Sequence, residues 1–276
     1  MKMIKKIRYA CMLGLLPMLL ACQTQVPQAG ALAKPALILV GDSTMAPGSG
    51  YGNALCARFN VEVSCLNLAK GGRSSGSYRA EGSWQQVMQQ LRLVPDPANT
   101  LVLMQFGHND QPGKPGRSTD LHTEFPRNLQ AYIRDVRSTG ADIILVTPLT
   151  RRSFKDGSLP NDLRPWAESA IAVAQEASVA LIDLNQQSHA MVEKMGQAQA
   201  DTLAMAPPPE QPVPYPALAS QTATEPQGKP KSAFDRTHLG PKGADLFAGL
   251  VLQNLLRLRP QLQPQLRPQP VQGDQP

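Results

Sequence analysis

The sequence predicts an α/β fold in which a mainly parallel sheet of about five strands lies between two layers of helices. Two observations predict it. Five short, nearly continuous apolar runs each stop at a glycine or polar corner, as strands buried on both faces do. Between most of them lie longer stretches whose apolar residues recur every three or four positions, the spacing of helices that cover a sheet.

The runs occupy 36–40, 61–68, 101–106, 143–146 and 179–182. They end at Gly41, at Lys70-Gly71-Gly72, at Gly107, at Thr147-Pro148 and at Asp183. Helical periodicity is found over 81–93, 122–138, 162–177 and 241–258. The alternation gives a three-layer α/β/α sandwich, and with no internal repeat it is one domain, 35–259. Two regions are too rich in proline and polar residues for a packed core. Residues 197–232, with PPPEQPVPYP and TEPQGKPK, are expected to form a surface loop, and 260–276 a disordered tail.

The N-terminus is a separate matter. Lys2, Lys5, Lys6 and Arg8 precede the short apolar run CMLGLLPMLL, the layout of an export signal and too short for a convincing membrane span. The run closes Leu19-Leu20-Ala21-Cys22, which resembles the lipobox of bacterial lipoproteins. That resemblance implies removal of 1–21, a diacylglycerol on Cys22 and a tether over 22–34. Gln23 lacks the aspartate that resembles an inner-membrane retention signal, so the expected address is the outer membrane. An ordinary signal peptide cut nearby is the alternative.

Loss of the leader leaves 255 of the 276 residues, ample for one α/β domain. It also removes four cations and no acids, so the net charge of +6 falls to +2. No dense Lys/Arg stripe with interleaved aromatics is present, which excludes a nucleic-acid partner. An oxidising compartment allows Cys56 and Cys65 a disulfide, with two separate thiols as the alternative. Two cysteines without a CxxC spacing do not make a zinc site.

Chemistry gathers at the strand ends, where open α/β sheets bind ligands. Gly41-Asp42-Ser43-Thr44 follows the first run and exposes a hydroxyl near backbone N–H donors. Gly71-Gly72-Arg73-Ser74 follows the second, and Phe106-Gly107-His108-Asn109-Asp110 the third, with an amide able to donate to an oxyanion. Asp235-Arg236-Thr237-His238 precedes a helix start at Pro241. A carboxylate three residues before a histidine can take the ring Nδ1–H and leave Nε2 as a base for a serine proton.

In this order the blocks resemble the SGNH (GDSL-like) hydrolase family. The longer matches GDSTM, NLAKGGRSSGSYRAEG, FGHND, VTPLTR and DRTHLGPKGA are similar to its rhamnogalacturonan acetylesterase-like members. The resemblance covers most of 36–255. It implies a flavodoxin-like sheet, Ser43 as nucleophile, His238 as general base and then acid, and Asp235 as its orienting partner. It also implies an oxyanion hole from the Ser43 and Gly72 N–H groups and the Asn109 side chain, with no metal or cofactor. Asp42, Arg73, Arg79 and His108 are the candidate substrate contacts, the two arginines for a uronate carboxylate. Where such proteins often carry a tryptophan between two glycines, this chain has Gly50-Tyr51-Gly52.

The implied activity is removal of O-acetyl groups from a polysaccharide, a pectic one by the same resemblance. A broad-specificity lipase or thioesterase, or a glycan-binding lipoprotein without turnover, are the alternatives. Gly72-Arg73-Ser74-Ser75-Gly76 also matches G-x-S-x-G, which would make Ser74 the nucleophile of an α/β-hydrolase elbow. His122 and His189 fit solvated or capping positions, and Arg151 and Arg152 solvated ones.

Overall fold

Each expected apolar run contains a strand, and the five strands make one parallel sheet. The computed structural model of the chain describes residues 34–208 and 234–268. The expected leader, Cys22, the tether up to residue 33, segment 209–233 and residues 269–276 lie outside the described residues. No helix among the described residues is long and apolar enough to cross a membrane.

The strands are β1 (Ala36–Gly41), β2 (Ser64–Asn67), β3 (Thr100–Gln105), β4 (Asp142–Val146) and β5 (Ala180–Ile182). Their order is β2-β1-β3-β4-β5, with every neighbouring pair parallel. This is the flavodoxin-like order that the family resemblance implies. The helices are α1 (Gly52–Cys56), α2 (Ser77–Ala80), α3 (Ser83–Leu93), α4 (Glu124–Arg137), α5 (Arg164–Glu176), α6 (Leu184–Asp201) and α7 (Pro241–Leu258).

Side chains alternate along a strand, so each strand feeds two cores. Leu37, Leu39, Leu101, Leu103, Ile144 and Val146 face a layer built with Leu55 of α1, Val192 of α6 and Phe247 and Val251 of α7. Ile38, Val40, Val102, Met104, Ile143 and Leu145 face Trp84 and Val87 of α3, Leu129 and Ile133 of α4 and Trp166 of α5. Both faces are dry, which explains why the runs are continuous rather than alternating. The fold is therefore a three-layer α/β/α sandwich.

Several boundaries differ from expectation. The second run yields only four residues of strand, and Val61 is 76% exposed. Strand β2 is an edge, half covered, and the chain before it is a turn. Residues 197–201 are helical, not loop: Gln and Ala are good helix formers, and the prolines begin only at Pro207. Leu203 and Ala204 then pack into the core. Much of the expected tail is also ordered. A short 3-10 helix, Pro260–Gln265, leads to Leu266, which bridges to Phe59. The N–H of Asn60 donates to Gln265 at 2.8 Å, and Leu262 and Leu266 pack against the core. Cys56 and Cys65 are joined, tying the end of α1 to β2.

Candidate active site

The site begins where β1 ends. The Asp42 carbonyl accepts the N–H groups of Met45 (3.2 Å) and Ala46 (3.0 Å), and its side chain accepts the Thr44 N–H (2.9 Å) and hydroxyl (2.8 Å). That turn presents Ser43, which is 5% exposed. The chain then folds back on itself. A Cβ at Gly50 would lie 2.2 Å from the Thr44 carbonyl carbon, so only glycine permits the return. The return brings the Ser49 hydroxyl to the Ser43 carbonyl, to which it donates at 2.8 Å.

Beneath Ser43 runs a chain of buried donors that ends on a carboxylate. The Tyr51 hydroxyl donates to Gln105 Oε1 (2.8 Å), Gln105 Nε2 to Thr44 Oγ1 (2.5 Å), and Thr44 to Asp42. His108 Nδ1 lies 3.2 Å from the other Asp42 oxygen. Burial alone would raise the Asp42 pKa, but His108 and Thr44 outweigh it and hold the carboxyl below its ordinary value. Burial pushes His108 down despite the pull of Asp42. Toward an ionised Asp42, Nδ1–H is the donor of that contact. Burial, with Asp42 nearby, raises Tyr51 well above the usual phenol range.

The second and third blocks are joined to each other. Gly72 has φ +77°, a left-handed conformation that suits glycine. Asn109 Nδ2 donates to the Arg73 carbonyl at 3.0 Å, while Arg117 Nη1 lies 3.4 Å from its Oδ1. The amide is thereby oriented with one N–H to spare. Among the described residues, the Ser43 and Gly72 N–H groups donate to no protein acceptor. Asp110 fixes the two blocks to each other: its Oδ1 accepts the Ser75 N–H (3.0 Å) and the hydroxyls of Ser75 (2.6 Å) and Thr119 (3.0 Å). Burial, opposed by those bonds, pushes Asp110 up to about 7.

The fourth block is the 235–238 loop. Asp235 Oδ2 lies 2.9 Å from His238 Nδ1, and its Oδ1 accepts the N–H groups of Thr237 (2.7 Å) and His238 (2.6 Å). One carboxylate thus shapes the loop and orients the ring. The next N–H, of Leu239, donates to Ser49 at 2.9 Å, so Ser49 bonds both the Ser43 carbonyl and the chain after His238. Arg236 meets Asp201 at the end of α6 through two bonds of 2.8 and 3.0 Å. Through Nδ1 the ring is bonded to Asp235, and among the described residues Nε2 makes no hydrogen bond to Ser43 or to any other group.

Hydrogen bonds thus link the 42–49 turn to His108 and to the chain after His238, and Asn109 to Arg73, at the strand ends, while three of the expected substrate contacts are engaged in other bonds. Asp42 and His108 are buried and bond to each other, so they support the serine from below. Arg79 pairs with Asp135 at 2.7 Å, with its guanidinium 4.5 Å from the Tyr132 ring and 5.5 Å from Trp84, on the flank of the α3–α4 layer. Arg73 stays at the site, held by Glu81 at 2.8 Å. Ser74 is fully buried and exchanges bonds with Ser77 across the first turn of α2, which removes it as an elbow nucleophile. His189 Nε2 bonds the Leu159 carbonyl. Arg152, expected in solvent, is fully buried against the 235–238 loop.

The bonds from His238 and Thr237 outweigh the burial that would raise Asp235 and hold it at about 2, against an ordinary 3.8. A carboxyl lowered on folding stabilises the protein above its unfolded pKa and loses that contribution as pH falls through the folded one. Asp235→Asn is therefore expected to cost up to about 2 kcal/mol at pH 7, with the gap to wild type closing between about pH 4 and pH 2. Urea titrations at pH 7, 4 and 3 check this, and a gap independent of pH would refute it.

Comparisons with known proteins place the chain in a family. The GDSL-like Lipase/Acylhydrolase family matches residues 39–246. A rhamnogalacturonan acetylesterase of Bacillus subtilis (strain 168) is 30% identical over 230 residues, 80% of this chain and 90% of that one. The rhamnogalacturonan acetylesterase of Emericella nidulans is 29% identical over 191 residues, 60% of this chain and 73% of that one. Among solved structures, the protein YXIM of Bacillus subtilis superposes with a TM-score of 0.63 at 25% identity. That match covers 82% of this chain, which spans only 57% of the other. An acetylxylan esterase of Geobacillus stearothermophilus, at 15% identity and TM-score 0.53 over 82% of this chain and 94% of that one, shares the fold. The chain belongs to the GDSL-like lipase/acylhydrolase family, the SGNH hydrolases, and within it resembles the rhamnogalacturonan acetylesterases.

Proposed function

We propose that the protein is a serine acetylesterase that removes O-acetyl groups from an acidic, pectic polysaccharide. The observation that carries the chemistry is the oriented Asp235–His238 pair, joined through Ser49 to the turn of Ser43. In this reading Ser43 Oγ attacks the ester carbonyl carbon while His238 Nε2 takes its proton. Asp235 keeps the ring in the tautomer with Nδ1–H and steadies the imidazolium. The carbonyl oxygen becomes an anion among the Ser43 N–H, the Gly72 N–H and the Asn109 amide. Collapse expels the sugar oxygen, which takes the proton from His238. Water, activated by the same ring, then frees acetate from the acyl-serine.

Ser43→Ala and His238→Ala are each expected to lower kcat by several orders of magnitude on a chromogenic acetate ester. Asn109→Ala should lower it about 10²–10³-fold, as loss of one oxyanion donor does. Ser74→Ala should keep most of the activity. Turnover that survives Ser43→Ala and vanishes with Ser74→Ala would refute the assignment.

The substrate reading is supported by the names of the relatives and by a groove of about 380 Å³ that shares Gly72 with the proposed oxyanion hole. Arg73, Glu81 and Pro115-Gly116-Arg117 line it. Arginine forks of this kind suit the carboxylates of a uronate chain. Acetate release from acetylated rhamnogalacturonan should exceed that from acetylated xylan, with Ser43→Ala as the control. Arg73→Met should bring the two rates closer together. Equal rates in the wild type would remove the pectic assignment.

Export and anchoring rest on the sequence alone. In this proposal the leader is removed, Cys22 carries the lipid, and the domain sits on the outer membrane facing the periplasm or exterior. Cys22→Ser should move the protein from the membrane to the soluble fraction with its esterase activity intact. Equal membrane retention in the variant would sink the anchor.

A further inference from the structure

We infer that Arg152 is a positioning residue for the acid–base histidine, a buried guanidinium after β4 that holds the 235–238 loop in register with Ser43. The side chain is fully buried, and among the described residues it makes no salt bridge. Its hydrogen bonds go to one place. Nη2 donates to the carbonyls of Asp235 (3.0 Å) and His238 (2.7 Å), and Nη1 lies 3.4 Å from that of Thr237. The backbone N–H of Arg152 takes the remaining carbonyl, of Arg236, at 2.8 Å. All four carbonyls of the loop therefore end on a single residue.

A guanidinium buried without a carboxylate partner is expensive, and an apolar side chain would fill the same volume without that penalty. The loop explains its presence. Residues 235–238 belong to no strand or helix, so their carbonyls need donors from elsewhere. Only arginine offers a planar fork that reaches several acceptors from one stem. Burial pulls Arg152 down to about 10, so it still carries its charge at neutral pH. The charged groups that act on it are Asp235, Asp201 and Arg236, the first two favouring its charge.

What the clamp fixes is the ring. Ser49 ties the loop to the turn after β1 through Leu239 N–H, and Arg152 ties it to the segment after β4. Two attachments that follow separate strands set both the distance and the angle of His238 relative to Ser43. Displacement of a catalytic group by about 1 Å can cost about 10²-fold in rate. Arg152 touches no reacting atom, so its removal should act on kcat and leave binding of a small ester alone.

This inference rests on His238 as the base for Ser43, and the test separates the two. Arg152→Lys and Arg152→Ala are made in the whole chain, and a fluorophosphonate reagent counts the reactive serines. No labelling of Ser43 in the wild type would sink the catalytic assignment itself. With wild-type labelling intact, kcat per labelled site should fall about 10²-fold in Arg152→Ala and less in Arg152→Lys. KM for a small chromogenic acetate should stay within about twofold. Unchanged kcat per labelled site overturns the inference, as does a raised KM with kcat held. Loss of the fold in both variants also overturns it, since Arg152 would then serve folding.

Discussion

The pairing of β1 with β3 is the constraint from which the site follows. Six residues of each strand run side by side, from Ala36 opposite Thr100 to Gly41 opposite Gln105. The chain reaches β3 only after going out to β2 and returning, so the connections leave the two strand ends in opposite directions. A crevice at such a reversal is a property of the topology. The register then decides what fills it. Because Gly41 and Gln105 are level, Asp42-Ser43 and the 106–109 segment emerge as neighbours, close enough for Asp42 and His108 to bond.

That neighbourhood is held from below by polar groups, an unusual choice for an interior. The line from Tyr51 through Gln105 and Thr44 to Asp42 is buried throughout, and each hydroxyl and amide in it has a partner. Buried donors directed at one carboxylate strengthen one another and permit one arrangement of the side chains. A purely apolar floor would be cheaper to desolvate but would not fix the direction of the Ser43 turn. Tyr51 supplies the hydroxyl that opens this line, and Gln105 accepts it.

The sequence disclosed whatever depended on local pattern. The strands were legible because both faces are dry, and α7 because its apolar stripe starts at a proline and runs unbroken, giving 241–258 on both counts. The family was legible because the blocks around Ser43, Gly72, Asn109 and Asp235–His238 stand together in one order, each at a strand or helix end. Long-range effects were not. Leu262 and Leu266 find Phe59 and the core across some two hundred residues, against a local composition that argues for disorder. Arg79 looks like a substrate ligand until Asp135 and Tyr132 are folded beside it. Arg151-Arg152 looks like a solvated pair, and nothing near it in sequence reveals that a loop more than eighty residues later needs its carbonyls covered.

The pair formed by Arg236 and Asp201 has a further consequence. With the Gly240 N–H bonded to the Leu203 carbonyl at 2.9 Å, it joins the end of α6 to the chain on either side of His238. The entropy of closing a loop grows only with the logarithm of its length, by about 0.6 kcal/mol for each doubling. With those bonds made, the length of the loop they close can change with little thermodynamic effect on the ring of His238. Evolution is therefore free to vary the number of residues between Ala204 and Arg236 while the geometry of the 235–238 loop stays inherited.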